Sequence, residues 1–168
     1  MQFFKTLAAI MILLAAPAAM AQGANIALGT SSFDSSLPVE ISADELRVDQ
    51  STGAAVFDGN VLVVQGEIRI TAGRITVNYQ TDENGATTGI SELLADGGVT
   101  MVTGTDAAEA QEAVYAVASG NVTLIGDVLL TQGPSAISGE KLVMDLNTGN
   151  GVMEGRVRTV INAGGGDN

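Results

Sequence analysis

The residues that could do acid, base or metal chemistry in this chain are almost all carboxylates. Its 168 residues include 19 Asp or Glu and 7 Lys or Arg, and they include neither histidine nor cysteine. Without histidine the usual general base and the most common metal ligand are missing, and without cysteine there is no thiol nucleophile, thiolate zinc site or disulfide. Catalytic triads that use histidine, thiol nucleophiles, and thiolate or imidazole zinc sites are therefore excluded.

Two local groups of carboxylates could be considered, and neither has the spacing of a site. Asp82-Glu83-Asn84-Gly85 begins like a calcium loop, but Ala86, Thr87 and Thr88 follow without a closing carboxylate, which favours a hairpin turn. Asp44 and Glu45 are adjacent, so on a strand they would face opposite sides. We therefore predict no enzyme, no metal site and no cofactor, and a carbohydrate enzyme is the least favoured alternative.

The start of the chain predicts export. Lys5 precedes an apolar run from Leu7 to Ala16, and Ala19-Met20-Ala21 has the small residues that a signal peptidase accepts. The run is too short to span a bilayer, so we predict cleavage after Ala21 and an exported protein. Removal of Lys5 would change the net charge from −12 to −13. Such a surface predicts no nucleic-acid partner.

The remainder has the length of one domain. Residues 22–37 are rich in Ala, Gly, Ser and Asn and predict a flexible lead-in, residues 38–162 the folded domain, and residues 163–168 a disordered tail. Six basic residues remain, namely Arg47, Arg69, Arg74, Lys141, Arg156 and Arg158. Arg156 and Arg158 would share one face of a strand, as a possible phosphate contact or, the favoured interpretation, as part of a solvated outer face.

A repeated five-residue motif predicts the fold class. Residues 57–61, Phe-Asp-Gly-Asn-Val, return as Ala-Ser-Gly-Asn-Val at 118–122, and in looser form at 95–99 and 153–157. In each copy a glycine-containing turn is followed by alternating apolar residues, which is typical of a hairpin turn before a half-buried strand. The sequence therefore predicts an all-β domain. Residues 106–115 offer a helical alternative because Ala and Glu dominate them, but the flanking strands favour a strand.

The alternation predicts one apolar face. After the glycine turns, Val61, Val63, Val99, Met101, Val122 and Leu124 occupy the first and third strand positions, so they share a side of the sheet. Few bulky residues are available to fill the interior behind them. We nominate this face as a ligand-binding face, although each residue could equally be ordinary core: Val48, Val56, Val61, Val63, Ile70, Val77, Val99, Met101, Val117, Val122, Leu124, Leu130, Leu142 and Met144.

The order of the motifs resembles a known family. Asp58-Gly59-Asn60-Val61 with Gln65-Gly66, Ala72-Gly73-Arg74-Ile75, Gly120-Asn121-Val122 with Gln132-Gly133, and Ser138-Gly139-Glu140-Lys141-Leu142 resemble the organic-solvent-tolerance (OstA-like) family of periplasmic lipopolysaccharide-transport bridge proteins. The resemblance covers roughly residues 38 to 160. It implies a twisted, open-ended antiparallel β-jellyroll in which lipid A acyl chains lie in an apolar trough.

The resemblance also implies partners. They are lipopolysaccharide through its lipid A portion, further copies of the chain joined head to tail, and the β domains of the inner-membrane transport complex and of the outer-membrane translocon. The acidic surface should repel lipid phosphates, so affinity would come from acyl burial or from bridging divalent cations. The alternative is an exported β-rich structural or adhesive protein that has no lipid ligand.

Overall fold

The structure, a computed structural model, describes residues 23–27 and 33–161. The described residues form thirteen strands in one continuous antiparallel sheet. The strands are β1 (Ala24–Ala27), β2 (Glu40–Ser42), β3 (Glu45–Val48), β4 (Ala55–Gln65), β5 (Ile68–Thr81), β6 (Thr87–Asp96), β7 (Val99–Thr103), β8 (Asp106–Ala110), β9 (Glu112–Ala116), β10 (Asn121–Gln132), β11 (Ser135–Asp145), β12 (Asn150–Glu154) and β13 (Arg158–Ile161). In this part of the chain no helix has the length and apolarity to cross a membrane.

The pairing follows the order of the chain. Two short strands that run end to end, such as β2 and β3, pair with the same neighbouring long strand, so each such pair acts as one bent strand. Counted in this way, the strands after β1 form a meander of eight rungs, each paired with the rungs before and after it. The rungs are residues 40–48, 55–65, 68–81, 87–103, 106–116, 121–132, 135–145 and 150–161. Outside this order, β1 pairs with β12.

Every rung bends near its middle, and the bends form a line that we call the corner row. Gly59-Asn60, Gly97-Gly98, Gly126-Asp127 and Gly155-Arg156 are pairs in which both residues have positive φ, between 41° and 85°. Glycine tolerates this region, and Asn and Asp tolerate it better than most residues. The ladder registers of β4–β5 and β10–β11 shift at Asp58/Val61 and Ile125/Val128, which marks two of the bends as bulges.

The corner row divides the meander into two sheets. Sheet I contains β3, residues 55–58 and 74–81, β6, β9, residues 121–125 and 141–145, β12 and β1. Sheet II contains β2, residues 61–65 and 68–72, β7, β8, residues 129–132 and 135–138, and β13. The four long strands β4, β5, β10 and β11 belong to both. The two sheets pack against each other with their inner faces. Each sheet has one border at the corner row and one border far from it. We call the opening between the two far borders the mouth.

Three copies of the repeated motif do not form the predicted hairpin turns. In the copies at 57–61, 95–99 and 153–157 the glycine and the residue after it lie at a corner. There the chain passes from one sheet into the other without reversing its direction. Only the copy at 118–122 is a hairpin turn, between β9 and β10. Corners and hairpin turns both use glycine at a positive φ, as at Gly59 in a corner and Gly120 in the hairpin turn, so the residues alone do not distinguish them.

The structure also bears on the predictions for other segments. Residues 106–115 are strand except for Gln111, which lies between β8 and β9. Residues 82–86 form a turn in which Asp82 Oδ1 accepts hydrogen bonds from the backbone N–H groups of Asn84 and Ala86 at 2.9 Å. The predicted flexible lead-in differs, because it contains β1. The predicted signal segment 1–21 and the tail 163–168 lie outside the described residues.

The tight packing of the corner row provides a test. A Cβ atom on Gly97, whose φ is +81°, would lie 3.1 Å from the Cα of Gly73. We expect Gly97→Ala to lower the free energy of unfolding by about 1–3 kcal/mol, because it combines left-handed strain with a backbone contact. Urea denaturation would measure the change. Gly89→Ala is the matched control, because a Cβ there meets no atom within 4 Å; equal stability of the two variants would contradict the role of the corner.

Candidate functional site

The registers align the inner-face residues of sheet I in two rows that cross the strands. Apolar side chains dominate both rows, which run from the β3 edge to β1 without a charged residue. The row farther from the corners contains Val48, Ala55, Val77, Leu93, Tyr115, Val122, Met144, Gly151 and Ile26. The row nearer to them contains Leu46, Phe57, Ile75, Ala95, Ala113, Leu124, Leu142, Met153 and Ala24.

Sheet II presents a matching apolar row. Its members are Ile41, Val63, Ile70, Met101, Ala108, Leu130, Ile137 and Thr159. Because paired residues of neighbouring strands point to the same side, each row is a continuous strip. The rows of the two sheets together line an uncharged apolar interior that extends along the whole meander.

Most residues predicted for the ligand-binding face lie in this interior. Twelve of the fourteen are at most 7% exposed, and they include Val63, Val122, Leu124 and Leu142 at 0%. Their contact with a ligand stays a prediction.

The structure differs from the prediction at two residues. Val56 pairs with Arg47 and Thr76 on the outer face, whereas its neighbours Ala55 and Phe57 face inward. Both Val56 and Phe57 are apolar, so the sequence did not identify which of them faces inward. Val48 is in register with the inner row, but at the edge strand it is 63% exposed.

Several interior residues were not predicted. Ile75, Leu93, Tyr115 and Met153 are at most 2% exposed. Alternation was the available signal, since Tyr115 lies between the inward Ala113 and Val117, and Leu93 is two residues from the inward Ala95.

The interior is filled by the protein's own side chains. Side chains from the two sheets pack so tightly that Ile75, Leu130 and Leu146 are no more than 1% exposed. Tyr115 is the largest side chain in this fully buried set, and it compensates for the scarcity of bulky residues. A ligand between the sheets would therefore have to replace contacts that the protein makes with itself.

A polar row follows the apolar one on the mouth side of sheet II. The register places Gln65, Ile68, Thr103, Asp106, Gln132, Ser135 and Ile161 side by side. Gln132 Nε2 donates to Asp106 Oδ2 at 2.8 Å and to the Ala27 carbonyl at 3.0 Å. From sheet I, the Tyr115 hydroxyl donates to Gln65 Oε1 at 2.5 Å. Hydrogen bonds thus connect the two sheets at the border of the apolar interior.

The remaining charges lie on the outside. Asp106 is the one charged residue classed as buried among those the structure describes. Four of the six basic residues form ion pairs, which are Arg47–Glu45, Arg74–Asp58, Lys141–Glu154 and Arg156–Glu140. The predicted Arg156/Arg158 pair on one strand face is wrong, since Arg156 is in a corner with φ 41° and only Arg158 lies in β13. Within the described ranges we find no group of three carboxylates that could hold a metal ion.

A family profile and two known proteins are similar to this chain in sequence. Residues 40–150 match the profile described as LptA/(LptD N-terminal domain) LPS transport protein. An uncharacterized protein of Rhizobium meliloti is 28% identical over 152 residues, covering 86% of this chain and 82% of that protein. The lipopolysaccharide export system protein LptH of Pseudomonas aeruginosa is 29% identical over 174 aligned positions, covering 98% of this chain and 86% of LptH.

A solved structure supports the fold. The crystal structure of LptH, the LptA homologous periplasmic component of the lipopolysaccharide transport device of Pseudomonas aeruginosa, superposes with a TM-score of 0.65 at 23% identity. The match covers 77% of this chain and 98% of that chain. At this identity the likeness is one of fold, and it confirms the predicted antiparallel β-jellyroll.

The buried hydroxyl of Tyr115 predicts a loss of stability at high pH. Burial raises the pKa of this hydroxyl well above its usual value near 10.0. Above pH 10 the unfolded chain therefore releases a proton that the folded chain still holds, and the free energy of unfolding falls with rising pH. Below pH 10 this contribution is present in full. Each further pH unit costs up to about 1.4 kcal/mol until the folded pKa is reached.

Two tyrosine variants test whether Tyr115 causes this decline in stability. Tyr115→Phe should lower stability at pH 7 by about 1–2 kcal/mol, because Gln65 Oε1 loses its donor, and should flatten the decline above pH 10. Tyr79 is 41% exposed, so Tyr79→Phe should leave the decline unchanged. Urea unfolding between pH 7 and 11 provides the comparison, and equally steep declines in the two variants would contradict the assignment to Tyr115.

Proposed function

The chain belongs to the LptA/LptD N-terminal domain family of lipopolysaccharide transport proteins, and from that premise we propose that it carries lipopolysaccharide by shielding the lipid A acyl chains between its two sheets. The observation that carries the proposal is the uncharged apolar interior, which is continuous from the β3 edge to the opposite end of the meander. Acyl chains need an apolar surface of this kind, and a path through the protein needs it to be continuous.

Entry of acyl chains requires the two sheets to separate. The interior is filled by side chains such as Leu124 and Leu142, which are 0% exposed. In the loaded protein the acyl chains replace contacts between the sheets, so the apolar area stays out of water. The acyl surface that leaves water, at about 25 cal/mol per Å², provides the binding free energy without any help from charge.

The distribution of charge agrees with binding through the acyl chains. The net charge of −12 opposes the lipid phosphates, and four of the six basic residues beyond the predicted signal segment are already paired with carboxylates. The phosphates therefore stay outside in solvent, where divalent cations can bridge them to surface carboxylates.

The protein acts in the periplasm and reaches it through the signal segment at residues 1–21, with cleavage after Ala21. There it forms part of a bridge from the inner to the outer membrane. Its partners are the β domains of the inner-membrane transport complex and of the outer-membrane translocon, and further copies of itself joined head to tail. This is transport rather than catalysis, in keeping with a family of transport proteins.

The ends of the meander support head-to-tail joining. At one end β2 and β3 pair only with β4, and at the other end β13 pairs only with β11. Unpaired strand edges accept strands from another chain unless they are covered. Exposed apolar residues accompany both edges, with Leu46 and Val48 on β3 and Val160 and Ile161 on β13. The alternative of an exported structural or adhesive protein has no comparable support.

The assignment of the interior can be tested by photocrosslinking in cells. Phe57 and Val56 are adjacent and half-buried, but they face the interior and the outside respectively. We expect p-benzoylphenylalanine at position 57 to crosslink lipopolysaccharide, because the aromatic side chain borders the inner row. The same probe at position 56 should give no adduct. Adducts of equal yield at both positions, or none at position 57 in folded exported protein, would contradict the proposal.

The role of the β13 edge can be tested by truncation. A chain that ends after Val157 lacks β13, all four residues of which are exposed, so the core should survive. We expect association to weaken in sedimentation equilibrium, because the truncation removes the joining strand with its exposed Val160 and Ile161 and leaves only the short β11 edge at Ser135–Ser138. The matched control ends after Ile161 and keeps β13. Association of both forms with equal affinity would exclude β13 as the joining edge.

A further inference from the structure

The mouth of the interior is crossed by residues 33–39, which we call the strap. At the sheet I side, a Cβ atom on Gly120, in the turn after β9, would lie 2.7 Å from Cε1 of Phe33. At the sheet II side, a Cβ on Gly66, in the turn after β4, would lie 2.9 Å from Cδ1 of Leu37. The strap therefore reaches from the end of one sheet to the end of the other. Phe33 and Val39 pack against the core from this position.

One buried side chain connects the strap to both sheets. Gln65, at the end of β4 in sheet II, is 2% exposed. Its Nε2 donates to the Leu37 carbonyl at 2.9 Å and to the Ser35 carbonyl at 3.3 Å. Its Oε1 accepts the hydrogen bond from Tyr115 of sheet I, whose side chain is 1% exposed. The amide thus uses both its donors and its acceptor to hold three separate parts of the chain together.

We propose that Gln65 and Tyr115 are positioning residues that keep the mouth closed, and that lipid enters when this hydrogen bond breaks and the strap moves aside. The inference rests on the proposed function, because it names the route by which acyl chains reach the interior. Both partners are uncharged, so their bond breaks without leaving a charge in the apolar interior. The strap's own apolar side chains leave with it and free space on the mouth side.

The first test removes one hydrogen bond and keeps the packing. Tyr115→Phe should increase the rate of uptake of fluorescently labelled rough lipopolysaccharide about five- to tenfold, the factor that corresponds to one net hydrogen bond. It should also speed amide hydrogen exchange in residues 35–39, a readout that needs no lipid. Tyr79→Phe, at an exposed tyrosine, is the control and should change neither quantity. Unchanged exchange and uptake in Tyr115→Phe would overturn the inference.

The second test locks the strap. The chain has no cysteine, so Leu37→Cys with Gly66→Cys introduces one pair, which mild oxidation joins across the contact between the strap and β4. We expect the oxidised form to take up labelled lipopolysaccharide at least tenfold more slowly than its own reduced form. The reduced form controls for strain at Gly66, whose φ is +59°. Thr123→Cys with Val143→Cys, registered partners on the outer face of sheet I, should be insensitive to oxidation.

The outcomes separate the inference from the function. If the oxidised strap variant takes up lipid as fast as the reduced one, the lipid enters through an end of the meander, and the inference is wrong while the proposed function stands. If the wild-type protein takes up no lipopolysaccharide at all, the proposed function is wrong and the inference falls with it.

Discussion

The constraint on which the rest of this structure depends is that all eight rungs bend at the same level. Each rung pairs with its neighbours on both sides of its bend, so a bend displaced by one residue would break the register in one sheet or the other. Backbone hydrogen bonds between successive corners fix the alignment, for example from Asp44 N to the Gly59 carbonyl at 2.9 Å and from Glu140 N to the Gly155 carbonyl at 3.2 Å. The two inner faces can meet only because the corners coincide.

Under the proposed function, the interior would serve stability and binding with the same atoms. A packed, uncharged core of Val, Leu, Ile and Met holds the folded chain together, and the same surface is the one that acyl chains would contact. Folding and the proposed lipid binding would therefore compete for one apolar area. The exposed ion pairs add little to either, since solvent screens them. In such a protein the contacts at the border of the interior, rather than those at its centre, decide how easily the sheets separate.

Much of the fold was predictable from local patterns, and the parts that were not depend on distant pairs. Alternation of apolar residues after Gly-x-Val motifs identified the strands and twelve buried positions. It did not distinguish Val56 from Phe57, because both are apolar. It also did not distinguish corners from hairpins, because both use the same left-handed backbone. The contact of Gln65 with Tyr115 joins residues 50 positions apart, and nothing local in either segment indicates it. The strap resembled a linker because Ser35 and Leu37 make their contacts with Gln65 through backbone carbonyls, which composition does not reveal.

The pairing of β1 with β12 has a consequence for the order of folding. After the first rung, every rung pairs with the rung that precedes it, so the meander can assemble progressively from its N-terminal end. Ala24, at the beginning of β1, pairs with Met153, near the end of the last rung. The first strand in the sequence is therefore the last to be placed, and until β12 has formed the interior stays accessible from that end.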